Sequence, residues 1–166
     1  MFASGFYYRT YVMNLLVLGI GNLVMNDDAA GVHVAQELAK KYNNKQDDLL
    51  VLDGGTLGLD LLGYIDWADK LVLIDAIDLN MEPGTVVKLE GDDIDVAFDN
   101  KLSAHQMGMK DMLLTSELIG QRPAEVVFYG IQSSSIQMDM ELSEPVKKNL
   151  PKLTDHVEQE IISFLS

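Results

Sequence analysis

Two carboxylates and one imidazole stand where chemistry could be done: Asp28, Asp75 and His105. Asp28 lies in LLVLGIGNLVMNDDAAG, residues 15–31, Asp75 closes LVLID, residues 71–75, and His105 sits in LSAHQMG, residues 102–108. Each falls where a predicted strand or loop meets the next element. Oxygen, oxygen and nitrogen make a donor set for one divalent metal, and three ligands leave coordination positions open. Each residue also has a plainer use. Asp27 or Asp28 could cap the helix that follows, which needs only one carboxylate. Asp75 follows an apolar run at the edge of the core, where a charge needs a partner or a metal. His105, the second residue after Ser103, reads equally as a surface residue in a first helical turn. The dipole there favours neutral imidazole, the form that binds metal.

Those three residues must be held by a scaffold, and composition bounds what it can be. A chain of 166 residues fits one domain with a real core. It has no cysteine, so disulfides, thiolate metal sites and cysteine nucleophiles are excluded. Any metal must be held by carboxylate, imidazole or carbonyl groups. A net charge of −14 argues against a nucleic-acid partner. No apolar run approaches the roughly 20 residues that span a bilayer, so no membrane association is expected. The opening MFASGFYYRTYV lacks a continuous apolar core and a cleavage site, and so makes a poor signal peptide. A cytoplasmic monomer is the expectation. Residues 1–12 are expected to be a dispensable extension from an upstream start, with a single domain over 13–166.

Five short apolar runs read as buried strands: Leu15–Ile20, Leu49–Leu52, Lys70–Ile74, Thr85–Leu89 and Glu125–Ile131. Helical patterns fall between them. Ala30–Tyr42 places Val34 and Leu38 on one face, and Leu57–Ile65 follows Thr56. Ala104–Ile119 opens on Ser103 and Gln106, an S-x-x-Q capping box, and stops at Gly120. Glu144–Leu165 carries an apolar stripe and a proline, Pro151, that should kink it. The acidic stretch from Glu90 to Lys101 reads as a mobile loop. Strands alternating with helices predict a three-layer α/β/α domain around a mainly parallel, twisted sheet of roughly five strands. In such sheets, sites form at the carboxyl ends of the strands.

Other motifs are weaker. Gly19-Ile20-Gly21 starts like a dinucleotide fingerprint, but Val24 stands where the third glycine belongs, and no helix starts at once. A Rossmann-like nucleotide-binding module is the competing class. Asp53-Gly54-Gly55-Thr56 reads as a tight turn or as a loop that holds a peptide substrate. No serine lies in a G-x-S-x-G elbow, and Ser133-Ser134-Ser135 looks like a loop, which disfavours a serine hydrolase. His33 and His156 read as helix-surface or half-buried residues.

Taken in series, GIGNLVMNDDAAG at 19–31, DGGTLGLDLL at 53–62, LIDAI at 73–77 and LSAHQMG at 102–108 resemble one family. It is that of the hydrogenase maturation endopeptidases, the HybD/HycI-type proteases of nickel–iron hydrogenases. The resemblance runs from about Met13 to the last helix. It implies a peptide-bond hydrolase that removes a C-terminal extension from the hydrogenase large-subunit precursor after nickel insertion. It further implies recognition of the nickel that the substrate presents, with zinc or cadmium able to substitute in crystals, and no organic cofactor. The family's metal-binding and catalytic positions fall on Asp28, Asp75 and His105. Asp28 stands where the family has Glu or Asp. A metal there could bridge to the substrate, or polarise the scissile carbonyl and acidify a water; the sequence leaves both open. Asp53, Gly54, Gly55 and Thr56 are the candidates for holding the substrate strand.

Overall fold

The computed structural model describes residues 12–98 and 104–166, and of Ala104 and His105 it describes the backbone alone. Residues 1–11, most of the expected extension, and Ser103, the expected cap, lie outside the described residues. Five strands form one sheet in the order β2-β1-β3-β5-β4. They are β1 (Leu15–Ile20), β2 (Leu49–Gly55), β3 (Lys70–Ile77), β4 (Val86–Glu90) and β5 (Glu125–Gln132). The first three and β5 run parallel, and β4 closes the edge antiparallel to β5.

The helices divide between the two faces because strand side chains alternate. Leu15 and Val17 of β1 join Val72 and Ile74 of β3 in a core with Val34 and Leu38 of α1 (Ala30–Tyr42). Val146, Leu153, Val157 and Ile161 of α5 (Glu144–Leu165) complete that layer. Leu16, Leu18, Leu71, Leu73 and Phe128 face the other way. They pack against Ile65 of α2 (Leu62–Trp67), Ile94 and Phe98 of α3 (Asp92–Phe98), and Met109, Met112 and Leu113 of α4 (Ala104–Leu118). The predicted three layers are therefore present.

Two local expectations change. The acidic stretch after β4 is not a loop throughout: it holds α3, because Ile94 and Phe98 lie one turn apart and bury together under the sheet. β2 runs on to Gly55 and β3 to Ile77, past the charges at which the predicted strands stop. α5 is one continuous helix that contains Pro151, and Val146, Leu153, Val157 and Ile161 are its buried stripe, as expected. Among the described residues no helix is long and apolar enough to cross a membrane.

Candidate active site

The site region is the carboxyl end of the parallel strands, and a close helix approach builds it. β1 ends at Ile20, and the chain turns through Gly21 at φ 139° into a 3-10 helix, Asn26–Ala29, that runs directly into α1. A Cβ on Gly19 would fall 2.2 Å from the Gly31 carbonyl, and one on Gly31 would fall 2.1 Å from the carbonyl of Ile74. α1 thus rests on β1 and β3 with no side chain between. One on Gly21 would fall 1.9 Å from the carbonyl of Asp28. These glycines serve packing of the chain on itself, which takes from the nucleotide reading the residues it rested on.

That packing brings the helix turn after Asp28 against the residue before Asp75. Asp28 is one turn before Gly31, and Gly31 lies against Ile74, the residue before Asp75. Asp28 is buried, and its Oδ2 accepts from the Asn22 N–H at 3.2 Å. Asp75 is fully buried inside β3, opposite Gly130 of β5, rather than at the strand's end. The strand continues because Ala76 and Ile77 are apolar and covered. A carboxylate inside it is tolerated because its oxygens are bonded. Oδ1 accepts from Ala76 N–H at 2.8 Å, and Oδ2 accepts from Nε2 of Gln106 at 2.9 Å. The same Nε2 donates to the Ala76 carbonyl at 2.8 Å.

Gln106 therefore straps the first turn of α4 onto β3. Sequence reading gives Gln106 only a capping role; its second role could have been suspected from its place beside His105. His105 is the second residue of α4, as expected, so its backbone adjoins the residue that touches Asp75. Its side chain lies outside the described residues. The described side chains contain no group of three or more metal-ligating residues.

The neighbouring Asp27 was expected only as a helix cap, and neither it nor Asp28 caps with its side chain. Asp27 is fully buried and turned the other way. It accepts from the N–H groups of Ser134 (2.8 Å), Ser135 (3.1 Å) and Ser143 (2.7 Å), and from the Ser143 hydroxyl (2.7 Å). Sequence reading missed this role. The serine-rich loop after β5 was the one signal, since its amides need an acceptor.

Asp53 closes its own segment: Oδ1 accepts from Gly55 N–H and Oδ2 from Nε2 of Gln36, each at 2.9 Å. Gly55, at φ 52°, passes its carbonyl to Gly21 N–H at 2.9 Å, so the ends of β1 and β2 are tied. Gly54 is buried against Leu18. Asp53 and Thr56 are exposed beside this junction. His33 is half-buried and His156 exposed, as expected.

Against known proteins, the chain matches the family model described as hydrogenase maturation protease over residues 32–160. Asp75 and His105 fall inside that span, and Asp28 lies just before it. The chain belongs to the hydrogenase maturation proteases, and its activity is that of an endopeptidase. It is 33% identical over 146 residues to the hydrogenase 2 maturation protease of Escherichia coli K12, covering 87% of this chain and 88% of that one. It is 38% identical over 125 residues to the hydrogenase expression/formation protein HupD of Bradyrhizobium diazoefficiens, covering 74% of this chain and 64% of that one. Its fold superposes on the hydrogenase-maturating endopeptidase HybD of E. coli with a TM-score of 0.83, at 31% identity, over 91% and 93% of the two chains.

Proposed function

We propose that this endopeptidase removes the C-terminal extension of a nickel–iron hydrogenase large-subunit precursor once nickel is in place. It recognises the nickel that the substrate carries, and it does so at Asp28, Asp75 and His105. The same reading makes it a monomer of the cytoplasm. The observation that carries the site is the Gln106 strap, which ties the turn that bears His105 to the Asp75 carboxylate. Asp28 belongs to the same edge through the packing of Gly31 on Ile74.

The chemistry follows from the donors. Two carboxylates and an imidazole attract a divalent ion and leave positions for the ligands it already has. A precursor without nickel offers this site nothing to hold. Nickel-bound precursor is held with its C-terminal segment at the sheet's edge, beside Asp53 and the Gly54-Gly55-Thr56 segment. Holding the segment in one pose is itself a rate term, because it removes the freedom a bimolecular step must otherwise lose. The Asp75 carboxylate is pre-set for this by Gln106 and Ala76, so it need not reorient when the metal arrives. The test mixes purified protein with nickel-free and nickel-loaded precursor and follows the size shift on a gel. Cleavage of the loaded form alone is expected; equal cleavage of both would remove metal recognition.

A further inference from the structure

Two loops at the site's edge are bonded into a short ribbon whose apolar side chains face water. The loop after β1 meets the loop after β5 as a parallel bridge between Met25 and Asp139. Asp139 N–H donates to the Val24 carbonyl at 3.1 Å, and Asn26 N–H donates to the Asp139 carbonyl at 2.7 Å. Around this bridge stand Leu23, Val24, Ile136, Met138 and Met140, all exposed, with Met138 at 85% and Met140 at 74%.

The ribbon is held from beneath by buried polar groups. Asp27 binds both ends of the second loop, at Ser134–Ser135 and at Ser143. Asn26 donates from Nδ2 to the Glu141 carbonyl at 2.6 Å and accepts from the Ser135 hydroxyl at 2.5 Å. A fully buried carboxylate is costly unless its hydrogen bonds are met, and here they are met by one loop. The result is a fixed backbone that displays two methionines. Methionine is the side chain that best adapts to an irregular apolar partner. A clustered, rigidly held apolar edge of this kind marks an interaction surface.

The occupant follows from continuity with the site. Asp28 N–H donates to the Met25 carbonyl at 3.0 Å, and Asn22 N–H donates to the Asp28 carboxylate. The ribbon and the proposed metal-reading residue are therefore one bonded unit. A folded protein whose C-terminal segment enters at Asp28 must lie over the ribbon. We infer that the ribbon formed by Leu23–Val24 and Ile136–Met140 is the docking edge for an apolar surface of the folded precursor, next to its cleavage segment. This rests on the function proposed above. The ribbon sets affinity for the whole precursor, and Asp28, Asp75 and His105 read its metal.

The test uses full-length protein and purified nickel-loaded precursor, with the double variant Met138→Gln/Met140→Gln. Both positions are exposed, so the melting temperature should stay at the wild-type value. KM should rise about tenfold or more, the scale of losing apolar anchors at an interface, with kcat within about twofold. A photo-crosslinking residue at position 138 should join the precursor. An unchanged KM, or a crosslink to a second copy of this chain alone, overturns the docking edge and leaves the protease reading standing. A crosslink from position 138 to the precursor, with no cleavage of it by the wild-type chain, supports the edge and refutes the proposed function. Neither crosslink nor cleavage overturns both.

Discussion

The two ends of the sheet hold their carboxylates with different sets of donors. At the amino end, Glu160 of α5 takes Nζ of Lys70 at 2.8 Å, Nζ of Lys88 at 3.1 Å and the Tyr129 hydroxyl at 2.5 Å. Burial alone would raise the Glu160 pKa, but the bonds from Lys70, Tyr129 and Lys88 outweigh it and lower it to about 2. Burial and the Glu160 contact together push the Tyr129 hydroxyl up. At the carboxyl end, backbone amides and a hydroxyl donate to Asp27, the Asn22 N–H to Asp28, and the Ala76 N–H and Gln106 Nε2 to Asp75. Glu160 knits α5 to the sheet through two ammonium groups and a phenol. Asp27, Asp28 and Asp75 are oriented by amides and a hydroxyl beside the proposed site. The proposed function divides them: the first holds the fold, and the second sets the carboxylates that the substrate's metal would meet.

The sharpest way to break that assignment is at Asp75. Asp75→Asn should abolish processing of loaded precursor, because an amide is a poor anionic ligand, and His105→Ala should do the same. Wild-type cleavage by either variant would sink the site. Gln106→Leu tests the strap rather than the ligand. It should lower processing by about 10–100-fold, the usual scale for a group that orients a metal ligand. Restoration by Gln106→Asn at a lower level would point to the hydrogen bond rather than to volume.

Asp27→Ala sharpens the contrast between two adjacent carboxylates. It strands the N–H groups of Ser134, Ser135 and Ser143, so a loss of about 3 kcal/mol is expected. For a chain of this size that is a fall of about 6–12 °C in melting temperature. Processing should fall too, because the ribbon beside Asp28 is no longer fixed. A variant as stable as wild type would show that the clamp does not hold the loop.

Much of this was legible in the sequence, for definite reasons. β1, α1 and α5 match their predicted bounds, since long periodic or continuous apolar runs admit few alternatives. The parallel order of β1, β2, β3 and β5, from which a carboxyl-edge site is expected, was legible from strands alternating with helices. What failed were places where a charged residue looked like punctuation. Asp75 marked the predicted end of β3, yet the strand continues because Gln106, far along the chain, satisfies its carboxylate. Asp92, Asp93 and Asp95 made α3 look like a loop, although acidic residues suit a helix's first turn and Ile94 and Phe98 supply the anchor. Asp27 read as a cap because its true partners lie more than a hundred residues away, beyond any local pattern.

The smallest expected effect belongs to the amino end, and it carries a sign. The Glu160 pKa in the folded protein, about 2, lies below its ordinary value of 4.5. A carboxyl held more acidic in the folded state stabilises it above the ordinary value, and that contribution disappears as pH falls from about 4.5 to about 2. Glu160→Gln lacks the contribution at every pH. Its melting temperature should therefore lie below wild type at pH 7, and the gap should close across that acid window. Other carboxylates titrate there in both proteins, so the difference between the two curves is the measurement. Cleavage of loaded precursor at pH 7 should be unchanged, because the Glu160 carboxylate is tied to Lys70, the first residue of β3, and not to the end of β1 and the turn that carry Asp28. A gap that stays constant into acid would mean that Glu160 acts through packing alone. A loss of cleavage at unchanged stability would mean that the two ends of the sheet are coupled, and the division of labour between them would fall.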